Sequence, residues 1–292
     1  MLILKLVIRY LYAPSFFACF LASALYVVHI DMNLMWLPFF LLLAVSISFI
    51  AERILPFEEI WNHSKDDAKR DWLHALINEG FNAASVAAIP ILAALTPGFD
   101  IWPAEWPLWI QLAFAILIAD FGITMAHYAS HKIDVLWRLH SVHHSVKRMY
   151  GFNGLMKHPL HLAVELTAGT TPLLLMGMPL EIGALLAFSA AIQLMLQHSN
   201  VDMRVGPLIY IWAVAPGHRH HHLASRIDGD VNFGLFTMFW DHLLGTFVKN
   251  RKQPRDGDIG VAGRPDFPQD YWDQLAQPFR RQTPASKSSA RE

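Results

Sequence analysis

Hydrophobic and polar positions fall in long blocks along this chain. Residues 10–30 carry no Lys, Arg, Asp or Glu, and residues 33–51 are equally free of charge. About 20 apolar residues cross the hydrocarbon core of a bilayer, so both runs predict spanning helices. A third apolar run covers 76–95, with Glu79 near its start. A fourth covers 107–126 and is interrupted by Asp120. Two shorter runs, 160–177 and 180–197, are joined by Gly177-Met178-Pro179, a turn signal. They predict an apolar hairpin, either tightly spanning or re-entrant. No segment has the period-2 pattern of a half-buried strand, and no repeat of fixed period is present. The expected fold is all-α: a polytopic membrane helical bundle of about four spans plus the apolar hairpin.

The cations between the runs set an orientation. Lys5 and Arg9 precede the first run; Arg53, Lys65, Lys69 and Arg70 follow the second; Lys132, Arg138, Lys147, Arg148 and Lys157 follow the fourth. The connections at 30–32, 96–106 and 177–180 have none. This pattern predicts cytoplasmic termini and a cytoplasmic histidine-rich region in an integral membrane protein. The lack of a targeting peptide, retention signal or long insertion fits a bacterial inner membrane. Lys5, Arg9 and Ala22-Ser23-Ala24 also resemble a signal peptide. The second long apolar run, following almost at once, favours a polytopic hairpin instead.

Composition agrees with the bilayer. The chain has 292 residues, 54% hydrophobic and 16% charged, against about 25% charged in ordinary soluble domains. Its single cysteine, Cys19, rules out a disulfide framework, and a net charge of -1 argues against a nucleic-acid partner. From about Asn250 the sequence turns polar, and 281–292 reads as disordered.

Histidine changes the picture most. There are 16, and 13 of them lie between His127 and His242. His127 and His131 form HxxxH. His140, His143 and His144 form HxxHH. His198 ends the second arm of the hairpin. His218, His221 and His222 form a second HxxHH, with His220 inside it. Residues four apart share a helix face, so such pairs reach one metal ion or two neighbouring ones. His143 and His144 diverge by about 100° around a helix axis, which suits ligands for two ions side by side. Two ions with four or five ligands each would use all nine. Imidazole suits Fe, Zn, Cu and Ni alike. H-E-x-x-H is absent from the sequence, so a zincin site fits poorly. His29, His63 and His74 read as polar tips at the membrane interface. Asp120 lies two turns before His127 on the same face, placed to orient a ligand or line a substrate path.

The clusters, in this order, resemble those of the fatty acid hydroxylase superfamily, also called the sterol desaturase family. The resemblance covers roughly 50–248. It includes Glu52-Arg53 through Pro56, Trp61 and Asp71; Lys157-His158-Pro159-Leu160; Pro216 to His222; Asp230-Val231-Asn232-Phe233-Gly234; and Trp240-Asp241-His242-Leu243-Leu244-Gly245-Thr246. It implies three regions: N-terminal transmembrane helices with their connecting loop (1–106), a catalytic domain (107–248) and a polar C-terminal tail (249–292). It implies metal ligands at His127, His131, His140, His143, His144, His198, His218, His221 and His222, with His158 as a tentative tenth. His220 falls at a variable position. His161 stands where the family often has Glu and reads as a non-ligand, as does His242. Asp228, Asp230, Asn232 and Asp241 are candidates to orient ligating rings through their second nitrogens. Trp240 reads equally as packing.

What the resemblance implies chemically is a non-haem di-iron oxygenase. Two Fe ions, O₂ and two external electrons would remove hydrogen from an unactivated lipid C–H bond, giving a hydroxyl group or a double bond. A fatty acyl chain, a sterol, a carotenoid and a lipid-linked acyl chain all remain open as substrates. The sequence has no dinucleotide fingerprint and no cysteine set for an iron–sulfur cluster, so electrons are expected from a separate ferredoxin, or a cytochrome with its reductase. The contrasting reading is a histidine-ligated membrane metal protein without redox chemistry, a hydrolase, transporter or sensor. The nearly bare apolar runs argue against the transporter.

Overall fold

The structure, a computed structural model, describes residues 2–95, 98–249 and 251–280. The first two apolar runs form α1 (Leu2–His29) and α2 (Trp36–Ile54). Tyr12, Phe16, Phe20, Ala24 and Val27 of α1 face inward, while Leu4, Leu11 and Tyr26 remain exposed. An apolar residue is no worse off on the outer face when the solvent is lipid, so these helices are hydrophobic on both faces. The third run is α3 (Ala68–Ala87) followed by α4 (Ile89–Leu95), bent by 45° at the break. Then come α5 (Leu108–Lys132), α6 (Asp134–His144), α7 (Pro159–Leu175) and α8 (Leu180–His198). Four short helices follow: α9 (Ala215–His218), α10 (Arg226–Gly229), α11 (Phe239–Leu244) and α12 (Tyr271–Ala276).

The all-α expectation holds, and among the described residues only isolated β-bridges occur. Four helices are long and apolar enough to cross a membrane, α1, α2, α5 and α8, and α3 with α4 passes the same test together as a bent pair. The run at 76–95 is not one straight helix. It starts earlier, in the polar stretch at Ala68, and breaks before α4. The second hairpin arm is instead the central helix. α8 packs against α1, α2, α3 and α5, and Leu185, Ile192, Met195 and Leu196 are wholly buried. A helix that is apolar all round belongs in a core.

Two close approaches set the frame for the histidines. α5 and α7 touch backbone to backbone at Gly122, where a Cβ would stand 2.1 Å from the Ala168 carbonyl oxygen. Gly154, in the turn at 151–155, presses on α8, where a Cβ would lie 2.4 Å from the Leu194 carbonyl oxygen. The tail is no free appendage. Ile259, Val261 and Phe267 pack with Trp61, Val142 and Met149, and Gln274 on α12 is fully buried. The stretch expected to be disordered, 281–292, lies outside the described residues.

Candidate metal centre

Each histidine motif sits at the end of an element. His127 and His131 close α5; His140, His143 and His144 close α6; His198 closes α8; His218 closes α9, and His221 and His222 follow in the turn after it. These ends meet in one buried layer. The ligating atoms of His127, His131, His140, His144 and His221 lie within 4.8 Å of one another, and so do those of His143, His198, His218 and His222. Each HxxHH motif therefore divides between the groups. His143 leaves its motif for the second group, and His221 leaves its own for the first. The groups abut: the rings of His144 and His222 stack with centroids 4.7 Å apart.

Outer hydrogen bonds hold several rings. Nδ1 of His127 donates to the Phe233 carbonyl (2.8 Å), that of His221 to the Val231 carbonyl (2.9 Å) and that of His143 to the Met156 carbonyl (2.8 Å). Nδ1 of His131 donates to Asp230 Oδ1 at 2.8 Å. With Nδ1 protonated, Nε2 carries the lone pair. Nε2 of His127 and Nε2 of His221 then face each other at 2.8 Å with no proton to share. Two lone pairs held so close call for a cation. In the second group, neither nitrogen of buried His198 has a protein partner. Buried polar atoms are normally paired, so the donor set fits metal binding.

The protonation states agree. Burial, reinforced by neighbouring imidazoles, holds His140, His144, His221 and His222 well below the usual imidazole range. Burial and the Lys157 ammonium do the same for His143, and push His218 down to about 3. Neutral rings are the ones that ligate. Burial alone would raise Asp230, but hydrogen bonds from His131 and Lys132 outweigh it and keep its carboxyl below the ordinary value.

His158 lies outside both groups. Its Nδ1 accepts from Leu160 N at the start of α7 and its Nε2 is 3.2 Å from the Leu275 carbonyl. His161 is buried beside His140, hydrogen-bonded to Ser130 Oγ at 3.0 Å, and outside both groups. His242 is exposed, as are His29 and His63. His74 is no interfacial tip: it is buried, with Nδ1 on the Lys157 carbonyl and Nε2 on Gln274 Oε1. Asp120 does not reach His127. It accepts from Phe236 N, Thr237 N, Thr237 Oγ1 and Trp240 Nε1, pinning the loop after Phe233. Asp241 accepts from Phe233 N, Gly234 N and Thr246 Oγ1, which fixes the carbonyl that receives His127. Asn232 adopts φ 55° and donates to Gly217 and Val248, tying the His218 turn to the same loop. Asp228 is exposed beside Arg251 and touches no box histidine.

Sequence reasoning missed several supports. Gln193 and Gln197 on α8 donate to the carbonyls of Ala213, Leu235 and Gly234. Arg219 is buried, donates to the carbonyls of Ser199 and Val201, and lies over the Phe57 ring. Two glutamines four apart inside an apolar run, just before His198, were the available signal.

Comparison with known proteins points one way. The sequence model described as fatty acid hydroxylase matches residues 112–246. The ornithine lipid hydroxylase OlsE of Rhizobium tropici is 35% identical over 281 residues, 92% of this chain and 83% of that protein. The human alkylglycerol monooxygenase is 28% identical over 152 residues, 52% of this chain and 33% of its own length. The Delta(7)-sterol-C5(6)-desaturase of Nicotiana tabacum is 29% identical over 141 residues, 47% of this chain and 49% of its own. No solved structure matches.

Proposed function

Because this chain belongs to the fatty acid hydroxylase family, a family of oxidoreductases, we propose that it hydroxylates a C–H bond of a membrane lipid with O₂ at a histidine-ligated di-iron centre. The observation that carries the reading is the division of nine buried histidines into abutting groups of five and four. His127, His131, His140, His144 and His221 would hold one iron, and His143, His198, His218 and His222 the other. When bound, such a pair supplies reduction of O₂ and removal of hydrogen from an unactivated carbon.

The chain's own residues do the rest. The Phe233, Val231 and Met156 carbonyls and the Asp230 carboxylate hold four rings with Nε2 turned inward. Asp230 also makes His131 a more basic ligand. The apolar helices around the layer keep bulk water out, and orientation with exclusion of water is what a protein contributes to cofactor chemistry. Hydroxylation is preferred to desaturation because the relative matched over 92% of the chain is a hydroxylase. That relative also makes an amino-acid-headed acyl lipid the first substrate to test. Electrons would come from a separate carrier, a ferredoxin or a cytochrome with its reductase. The Lys and Arg distribution supports a metal centre on the cytoplasmic side, and the Rhizobium relative supports a bacterial inner membrane. Catalysis would reside in 107–248, with 249–280 bracing it.

The test is lipid mass spectrometry of protein reconstituted with reductant and isotope-labelled dioxygen. The expected product carries one labelled oxygen atom. A product that has lost two hydrogens without gaining oxygen would assign desaturation. Turnover of lipid that is indifferent to O₂ would move the protein to the non-redox reading.

A further inference from the structure

An apolar cavity of about 140 Å³ lies between α3–α4, α5, α7 and α8. Leu166, Ala187, Ala190 and Phe236 line it, and Ile89 and Met178 bound it at the end away from the histidines. Its inner end is different. Lys157 and Glu165 also line it, and they form an ion pair with both side chains buried. The pair adjoins the metal layer. Met156, the residue before Lys157, receives His143, and Glu165 Oε1 lies 3.7 Å from Nδ1 of His161, whose ring packs on His140.

A buried ion pair is weakly supported unless its remaining donors and acceptors are satisfied. An ammonium has three N–H donors. Among the described residues Lys157 Nζ gives one to Glu165 and no other protein acceptor meets it. Asn82, Ser85 and Thr170 are the other polar residues of a lining that is mostly hydrocarbon. Cavity size narrows what can enter. In another protein a cavity of about 150 Å³ holds one benzene ring, so this one has room for roughly six carbons. That is a stretch of one unbranched chain, and too little for the fused rings of a sterol.

Resting on the proposed function, we propose that the Lys157–Glu165 pair is a specificity-determining anchor: Lys157 donates to the carbonyl oxygen of an amide- or ester-linked acyl lipid, whose first carbons fill the cavity. The anchor sets which end of the lipid lies beside the metal layer. It also separates acyl lipids from sterols, the substrate class in the name of one relative.

Photolabelling of the full-length protein in detergent tests this without turnover. Three probes carry the same photoreactive group: hexadecanamide, hexadecane and cholesterol. The amide is expected to label α7 and α8 at Leu166, Ala187 or Ala190, at least about tenfold more efficiently than the alkane, the ratio a hydrogen bond to a charged group gives. The sterol should not label the cavity. Lys157→Met/Glu165→Leu, which removes both charges together and so leaves no unpaired ion, should label equally with amide and alkane. Lys157→Arg should keep the preference, and Ala187→Phe should abolish cavity labelling by all probes. Equal labelling of wild type by amide and alkane, or sterol labelling in the cavity, would overturn the proposal. Iron assayed on the same samples separates the two readings: iron retained without the amide preference sinks only the anchor, and the preference without iron sinks only the di-iron centre.

Discussion

The two histidine groups share one layer yet are held by different means. In the group of five, His127, His131 and His221 each give an Nδ1 proton to a fixed acceptor. In the group of four only His143 shows such a bond to a fixed carbonyl, while His198 has neither nitrogen paired and Nδ1 of His222 has no partner. Packing holds the second group instead. The turn at Gly154 presses on α8 beside His198, and Arg219 clamps the carbonyl of Ser199 immediately after it. Outer bonds thus orient three rings of the first group, where His140 Nδ1 is also unpaired, against one ring of the second.

The sharpest way to break this contrast is at the border. His144 stacks on His222 and its Nε2 approaches those of His131 and His140. His144→Ala should abolish product formation and lower the metal content of both groups. Elemental analysis alongside the lipid assay checks it. Next comes the outer support of the first group. Asp230→Asn should weaken metal binding by about 10–100-fold, the usual cost of losing such a partner, whereas Asp228→Asn should leave it unchanged. Competition with a calibrated chelator measures both.

Packing effects should be smaller. Gly122→Val forces a side chain into the Ala168 carbonyl and should cost about 1–3 kcal/mol, read as a lowered unfolding midpoint in detergent. Gln274→Leu leaves Nε2 of buried His74 without a partner, though Nδ1 keeps the Lys157 carbonyl, and should cost about 1–3 kcal/mol.

The last expectation is a pH trend of the metal-free protein, slight near neutral pH and growing as the pH falls. His140, His143, His144, His221 and His222 sit well below 6.5 in the fold, and His218 at about 3. Between those limits the unfolded chain binds protons that the folded chain does not. Stability is therefore complete above 6.5 and falls as the pH drops below it. Thermal unfolding at stepped pH should show this, with a shallower slope for His218→Gln.

The histidines were legible in the sequence because ligand spacing is local. HxxxH and HxxHH place their rings by helix geometry alone, and the 100° divergence of His143 and His144 already anticipated two groups. The division of His218 and His221 between them depends on a turn after a four-residue helix, which periodicity does not describe. The long apolar helices were equally legible, since hydropathy over 20 residues survives any packing. Which of them is central was not: lipid and protein core are both apolar, so α8 read like its neighbours. The roles of Asp120 and His74 were hidden for a third reason. Each is a polar residue whose partner lies 80 or more positions away, as with His74 and the Lys157 carbonyl or Asp120 and Phe236. Asp120 sits on the face of α5 that leads to His127, yet long-range contacts turned it to a loop instead.

The central claim is that two metal sites, built from five and four histidines, lie side by side. Iron content of anaerobically purified protein tests it most directly, measured for wild type, His127→Ala/His221→Ala and His198→Ala/His222→Ala. The account predicts close to two irons per chain in the wild type and about one in each double variant. A single iron in the wild type, or iron unchanged by either pair of substitutions, would contradict it.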